Sequence, residues 1–90
     1  MNPGSEAGPF TDDMRALLRA WAVAERAEVE FRAHVIHVTA RRLGRREVAN
    51  AAASLVAAYR LTAGTHGKAV ALEQLCMRTG FKSPGSDDAL

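Results

Sequence analysis

Ninety residues, 48% hydrophobic and 24% charged, allow one folded domain, and the single cysteine, Cys76, excludes an intrachain disulfide and fits a reducing compartment. The longest nearly apolar run, residues 48–59, is interrupted by Asn50 and Ser54 and is too short to span a bilayer. The formal net charge of +2 is unevenly placed: residues 1–13 carry three acids and no base, residues 83–90 carry two acids, and the body between them stands at +7.

The chain opens on Met1-Asn2-Pro3-Gly4-Ser5-Glu6, which has neither the basic nor the apolar region of a signal peptide, so a cytoplasmic protein is expected. Pro3, Gly4, Gly8 and Pro9 mark residues 1–10 as a flexible arm. From Thr11 to Gly44 no Pro or Gly intervenes, and the spacing predicts one helix over 12–43. Thr11 is its expected N-cap, Asp12 and Asp13 suit its first turn, Arg41 and Arg42 its last, and Gly44 its left-handed stop. Such a helix would be about 48 Å long, whereas a compact chain of this size has a radius of gyration of about 12 Å. It carries two apolar stripes, one through Met14, Leu17, Trp21, Ala24, Glu28, Phe31, Val35 and Val38, the other through Leu18, Ala22, Val29, Ile36, Ala40 and Leu43.

A second helix is predicted from Arg46 to just before Gly64, with Val48, Ala52, Leu55, Val56 and Tyr59 as its apolar face. Gly64-Thr65-His66-Gly67 reads as a loop, residues 68–79 as a short third helix stopped by Gly80, and residues 82–90 as a flexible tail. The fold expected is all-α: a long first helix in a helical hairpin with a short third helix, as one domain over residues 11–81. Helices of about 25 Å and 18 Å cannot cover the first half of a 48 Å partner. Leu17, Leu18 and Trp21 would then be exposed, and a homodimer with antiparallel first helices is the expected remedy, with Glu28 and Phe31 completing its interface. Arg32 is placed to pair with Glu28 along the helix. The rival arrangement is a kink near Ala22–Ala24 that folds the third helix over the first half.

Chemistry is sparse. Glu30, His34 and His37 share one helical face, but a fourth metal ligand would have to be His66 or Cys76, neither at diagnostic spacing, so no metal and no cofactor is expected. No Ser/His/Asp or Cys/His arrangement is present, Cys76 reads as core, and no small-molecule substrate is evident. A non-enzymatic protein is expected.

The segment from His34 to Gly44 resembles the phosphoacceptor helix of histidine phosphotransfer domains. Ile36, Thr39, Ala40, Leu43 and Gly44 match its pattern, while His37 stands where that family has Lys and Val38 where it has Gly. The resemblance implies an exposed His34 as phosphoacceptor on a helical bundle. Residues 72–81 look like the first helix and turn of a helix-turn-helix, with Cys76 as the small residue and Gly80 as the turn glycine. The recognition helix would then fall on residues 83–90, where Pro84, Gly85, Asp87 and Asp88 suit phosphates poorly, so the segment is read as a helix stop.

The strongest local signal is a charged corner. Arg41, Arg42, Arg45 and Arg46 fall within six residues around Gly44, and Arg45 and Arg46 lie where the helix dipole disfavours cations. Free N–H groups of the second helix face the same region. The function expected is a helical interaction or regulatory module that binds an anionic partner through these arginines. That partner is an acidic protein surface or a nucleic acid. Phosphotransfer at His34, and DNA or RNA regulation through the corner, are the alternatives.

Overall fold

A computed structural model of the chain describes residues 8–61 and 64–82. All regular structure among them is helical: a single 3₁₀ turn at Gly8–Phe10, then α1 (Thr11–Ala22), α2 (Arg26–Arg42), α3 (Arg46–Arg60) and α4 (Thr65–Thr79). The expected continuous first helix is two helices, broken at residues 23–25. The break falls where the kinked alternative placed it, but the first half is covered differently: α1 folds back on α2, while α4 packs on α3. One backbone torsion marks the break. Ala24 adopts φ 59°, the left-handed region. The Ala24 N–H donates to the Trp21 carbonyl at 3.1 Å, and the Glu25 N–H donates to the Ala20 carbonyl at 2.9 Å. These reverse bonds close a Schellman-type stop.

The turn after α2 repeats that geometry twenty residues on. Gly44 has φ 74°, its N–H donates to Arg41 at 3.2 Å, and the Arg45 N–H donates to the Ala40 carbonyl at 2.8 Å. The stop after α4 is built the same way, with Gly80 left-handed and the Phe81 N–H donating to Cys76 at 2.9 Å. Gly44 and Gly80 are therefore the stops their residue type suggests, whereas Ala24 performs the same task without the conformational freedom of glycine.

Each helix packs on the next in the chain and runs back along it. Asp13 near the start of α1 pairs with Arg32 of α2 at 3.1 Å. The Arg45 guanidinium lies 5.7 Å from the centre of the Phe10 ring. At the other end of the molecule, Arg26, which opens α2, and Lys68, in the first turn of α4, both lie over the Tyr59 ring of α3, at 5.7 and 4.7 Å. The array is a flattened globule of 37 × 35 × 19 Å with a radius of gyration of 12.2 Å.

The break changes which stripe is buried. α1 buries Met14, Leu17 and Ala20, taken largely from the first stripe. α2 buries Val29, Ala33, Ile36 and Ala40, taken largely from the second, and leaves Phe31 and Val38 of the first stripe exposed. Helix α3 completes the core with Val48, Ala52, Leu55 and Tyr59, and α4 with Leu72, Leu75 and Cys76. Cys76 is thus core, as expected, and burial pushes its thiol pKa up to about 11.

Further expectations are corrected. Residues 8–10 belong to the fold rather than to an arm: Phe10 is 1% exposed and inside the core. Thr11 is the first helical residue, and its hydroxyl donates to the Gly8 carbonyl at 2.9 Å instead of capping the helix as an acceptor. The final helix begins at Thr65, not Lys68. Gly64 in extended conformation supplies its N-cap position, and Gly67 is carried inside the first turn. The rest of the expected arm, residues 1–7, and residues 83–90 of the expected tail, with the helix-turn-helix recognition segment, lie outside the described residues.

Candidate anion-binding groove

The four arginines surround the α2–α3 turn, and all are exposed. Their position follows from the left-handed Gly44, which turns α3 back beside α2 and brings Arg41 near Arg46. Among the described residues no carboxylate lies within ion-pair distance of any of the four. Arg26, Arg32 and Arg60, by contrast, are engaged. Arg32 donates to Glu28 at 2.7 Å and to Asp13 at 3.1 Å, and those hydrogen bonds hold its guanidinium more firmly protonated. Arg60 donates to Glu30 at 2.8 Å. Arg26 reaches the Tyr59 carbonyl at 3.5 Å.

Three open clefts adjoin at His37 and together form a shallow groove from the arginine corner along α2 and α3. Near the turn, a cleft of 340 Å³ is lined by Arg41 and Arg46 with His37 and Asn50. A second, of 500 Å³, spreads over the α2 side between His34, Val38, Arg41 and Arg42. A third, of 450 Å³, continues towards the far end over Ala53, Val56 and Ala57, and finishes at Arg60 and Leu61. His37 lines all three. Its Nδ1 is 3.0 Å from the Ala49 carbonyl, so that nitrogen carries the proton and donates, and Nε2 is the ring atom left for a ligand. The two imidazole centres are 6.5 Å apart.

The sequence-predicted residues divide clearly. Arg41, Arg42 and Arg46 share this groove with His34 and His37, and Arg45 sits at the same turn over Phe10. His34 is exposed, as its resemblance to a phosphoacceptor implies. Glu30 is held by Arg60, Cys76 is sealed in the core, and among the described residues no three His, Cys, Asp or Glu side chains are placed to hold a metal ion.

The residues expected at a dimer interface scatter. Leu17 is fully buried within its own chain, Leu18 and Trp21 are half-buried against the core, and Phe31 is 54% exposed on another helix. Glu28 pairs with Arg32 as its spacing predicts.

The sequence alone assigns Asn50, Ala53 and Ala57 to no site. Arg46, Asn50, Ala53 and Ala57 follow one helical face at steps of four, three and four. A stripe of two polar residues and two alanines has no apolar contrast to draw attention to it. Only the return of α3 along α2 turns it into a wall. Among the described residues, no helix is long and apolar enough to cross a membrane. Comparison with known protein families, with characterised proteins and with solved structures finds no match.

Proposed function

We propose that the protein is a small, non-enzymatic helical module that binds an anionic macromolecule at the α2–α3 corner. One observation carries this reading: four exposed arginines cluster at a single turn with no described carboxylate to neutralise them, beside an open groove. Cations that serve the fold pair internally, as Arg32 and Arg60 do. Cations held together without a carboxylate partner raise the local positive potential and attract counter-charge.

The test is binding of a labelled polyglutamate peptide and of a short DNA duplex, followed by fluorescence anisotropy across a salt series. Affinity falls as salt rises, and Arg45→Ala with Arg46→Ala weakens it severalfold. Binding that ignores both salt and the double substitution refutes the reading.

A second reading rests on the exposed His34, which shares a cleft with Arg41 and Arg42, cations suited to a phosphoryl group. Incubation with phosphoramidate tests it: His34 attacks phosphorus, the donor P–N bond breaks, and ammonia leaves. An acid-labile phosphorus signal absent from His34→Gln supports it. Self-association is a separate proposal, for which Phe31 is the exposed anchor, and sedimentation velocity decides it.

A further inference from the structure

The groove beside the arginine corner differs along its length, and this difference identifies its ligand more closely than charge alone. Antiparallel packing sets Arg41 near Arg46 at one end and Glu30 against Arg60 at the other. At the first end the cations have no described carboxylate partner. At the second, Glu30 neutralises Arg60 across 2.8 Å. Between them the wall contributed by α3 passes Asn50 and then turns apolar over Ala53, the largely buried Val56 and Ala57, facing the two histidines. From Arg46 to Arg60 the helix rises about 21 Å, the length of about fourteen helical residues.

A nucleic acid fits this poorly. A duplex presents a phosphate every ~3.4 Å along each strand. A strand lying in the groove would run off the arginines onto alanines and a neutralised ion pair. A ligand that is acidic at one end and apolar at the other matches the groove throughout. Both walls are helix surfaces, and the recurrent way to fill such a cleft is an amphipathic helix with anchors at helical spacing.

We propose that the α2–α3 groove docks an amphipathic helix of a partner protein, its acidic end on Arg41 and Arg46 and its apolar end on Ala53 and Ala57. This deepens the anion-corner reading and rests on it. In the middle of the groove, Nε2 of His37 meets the polar edge of the incoming helix, because Nδ1 is already held by Ala49. A helix of three to four turns buries less than about 1,200 Å² in total, the range of transient complexes, so micromolar affinity is expected.

The experiment is selection from a displayed library of fourteen-residue helical peptides, with binding mapped by NMR on the full chain. A twelve-base-pair duplex and polyglutamate are run beside it. The proposal expects recovered peptides with Asp or Glu at one end and Leu, Ile or Phe at the other. It expects shifts in the His34 and His37 rings and in the Ala53 and Ala57 methyls. Ala57→Glu, at an exposed position that leaves the core intact, lowers peptide affinity at least tenfold while leaving polyglutamate binding within about twofold. Recovered peptides without that polarity, or shifts confined to residues 41–46, overturn the proposal. If the duplex or polyglutamate binds with a steep salt dependence and no peptide is enriched, the groove proposal falls and the anion corner stands. If no anionic probe binds, both fall.

Discussion

Replacing Ala24 by glycine tests the fold at the break between α1 and α2, because the broken and the continuous helix demand opposite signs. In the broken form Ala24 sits at φ 59°. An L-residue pays about 1–2 kcal/mol for left-handed backbone, and glycine loses about 0.4–1 kcal/mol through its freer unfolded chain. The balance favours Ala24→Gly by about 1 kcal/mol. For a domain of this size that raises Tm by roughly 4–8 °C. Were residues 12–43 one helix, Ala24 would be an interior position, and the same substitution would cost about 0.8–1.0 kcal/mol. Gly44 provides the reciprocal measurement. It occupies the same place in the second turn at φ 74°, and a Cβ there would meet nothing within 4 Å, so Gly44→Ala isolates the backbone cost. It should destabilise by about 1 kcal/mol. The assay is urea and thermal unfolding followed by circular dichroism, with both single variants and the pair, which lie at opposite ends of α2 and should nearly cancel. A loss of stability in Ala24→Gly refutes the two-helix reading.

Leu17→Ala should cost about 2–5 kcal/mol because the side chain is fully buried, whereas Phe31→Ala on the exposed face of α2 should stay within about 0.5 kcal/mol in chemical denaturation. Equal effects would contradict the burial pattern. Cys76 should resist thiol reagents at pH 8 until the chain unfolds, and labelling kinetics under native conditions would expose any error. Its raised pKa also makes stability fall as pH rises from about 9 to about 11, since the unfolded chain releases the thiol proton first; Cys76→Ala should flatten that part of the pH–stability curve relative to the parent. Arg46→Ala should leave Tm unchanged or slightly higher, because that cation lies at an unfavourable dipole end with no described ion pair, and adding Arg45→Ala should cost no more than about 0.5–1 kcal/mol, the worth of its place over the Phe10 ring. A marked loss of Tm would show that these arginines support the fold.

Local backbone chemistry was legible in the sequence. Helical periodicity marks an all-α chain, Gly44 and Gly80 mark left-handed stops, and Arg32 stands four residues from its partner Glu28. The arginine corner was equally legible, since all four residues fall within one turn of chain. The break at Ala24 was legible only as a rival, a kink near Ala22–Ala24 argued from helix lengths and not from the residues there. Alanine is the best helix former by intrinsic propensity, and nothing local distinguishes Ala24 from the alanines around it. Its left-handed torsion is imposed by packing: once α1 folds back, Met14 and Leu17 enter the same core as Ile36 and Leu55, and burying such residues at about 1.5–3 kcal/mol each outweighs the strain of one torsion. The same argument separates Leu17 from Phe31, which share a stripe on a continuous helix but not after the break. Phe10 looked like part of an arm because Pro9 and Gly8 precede it, yet a core edge was open to receive its ring. The groove depends on tertiary structure most of all. His37 and Asn50 are thirteen residues apart, and each is an ordinary surface residue on its own helix. They form one site because a three-residue turn returns α3 along α2, and side chains on separate helices meet only when those helices pack.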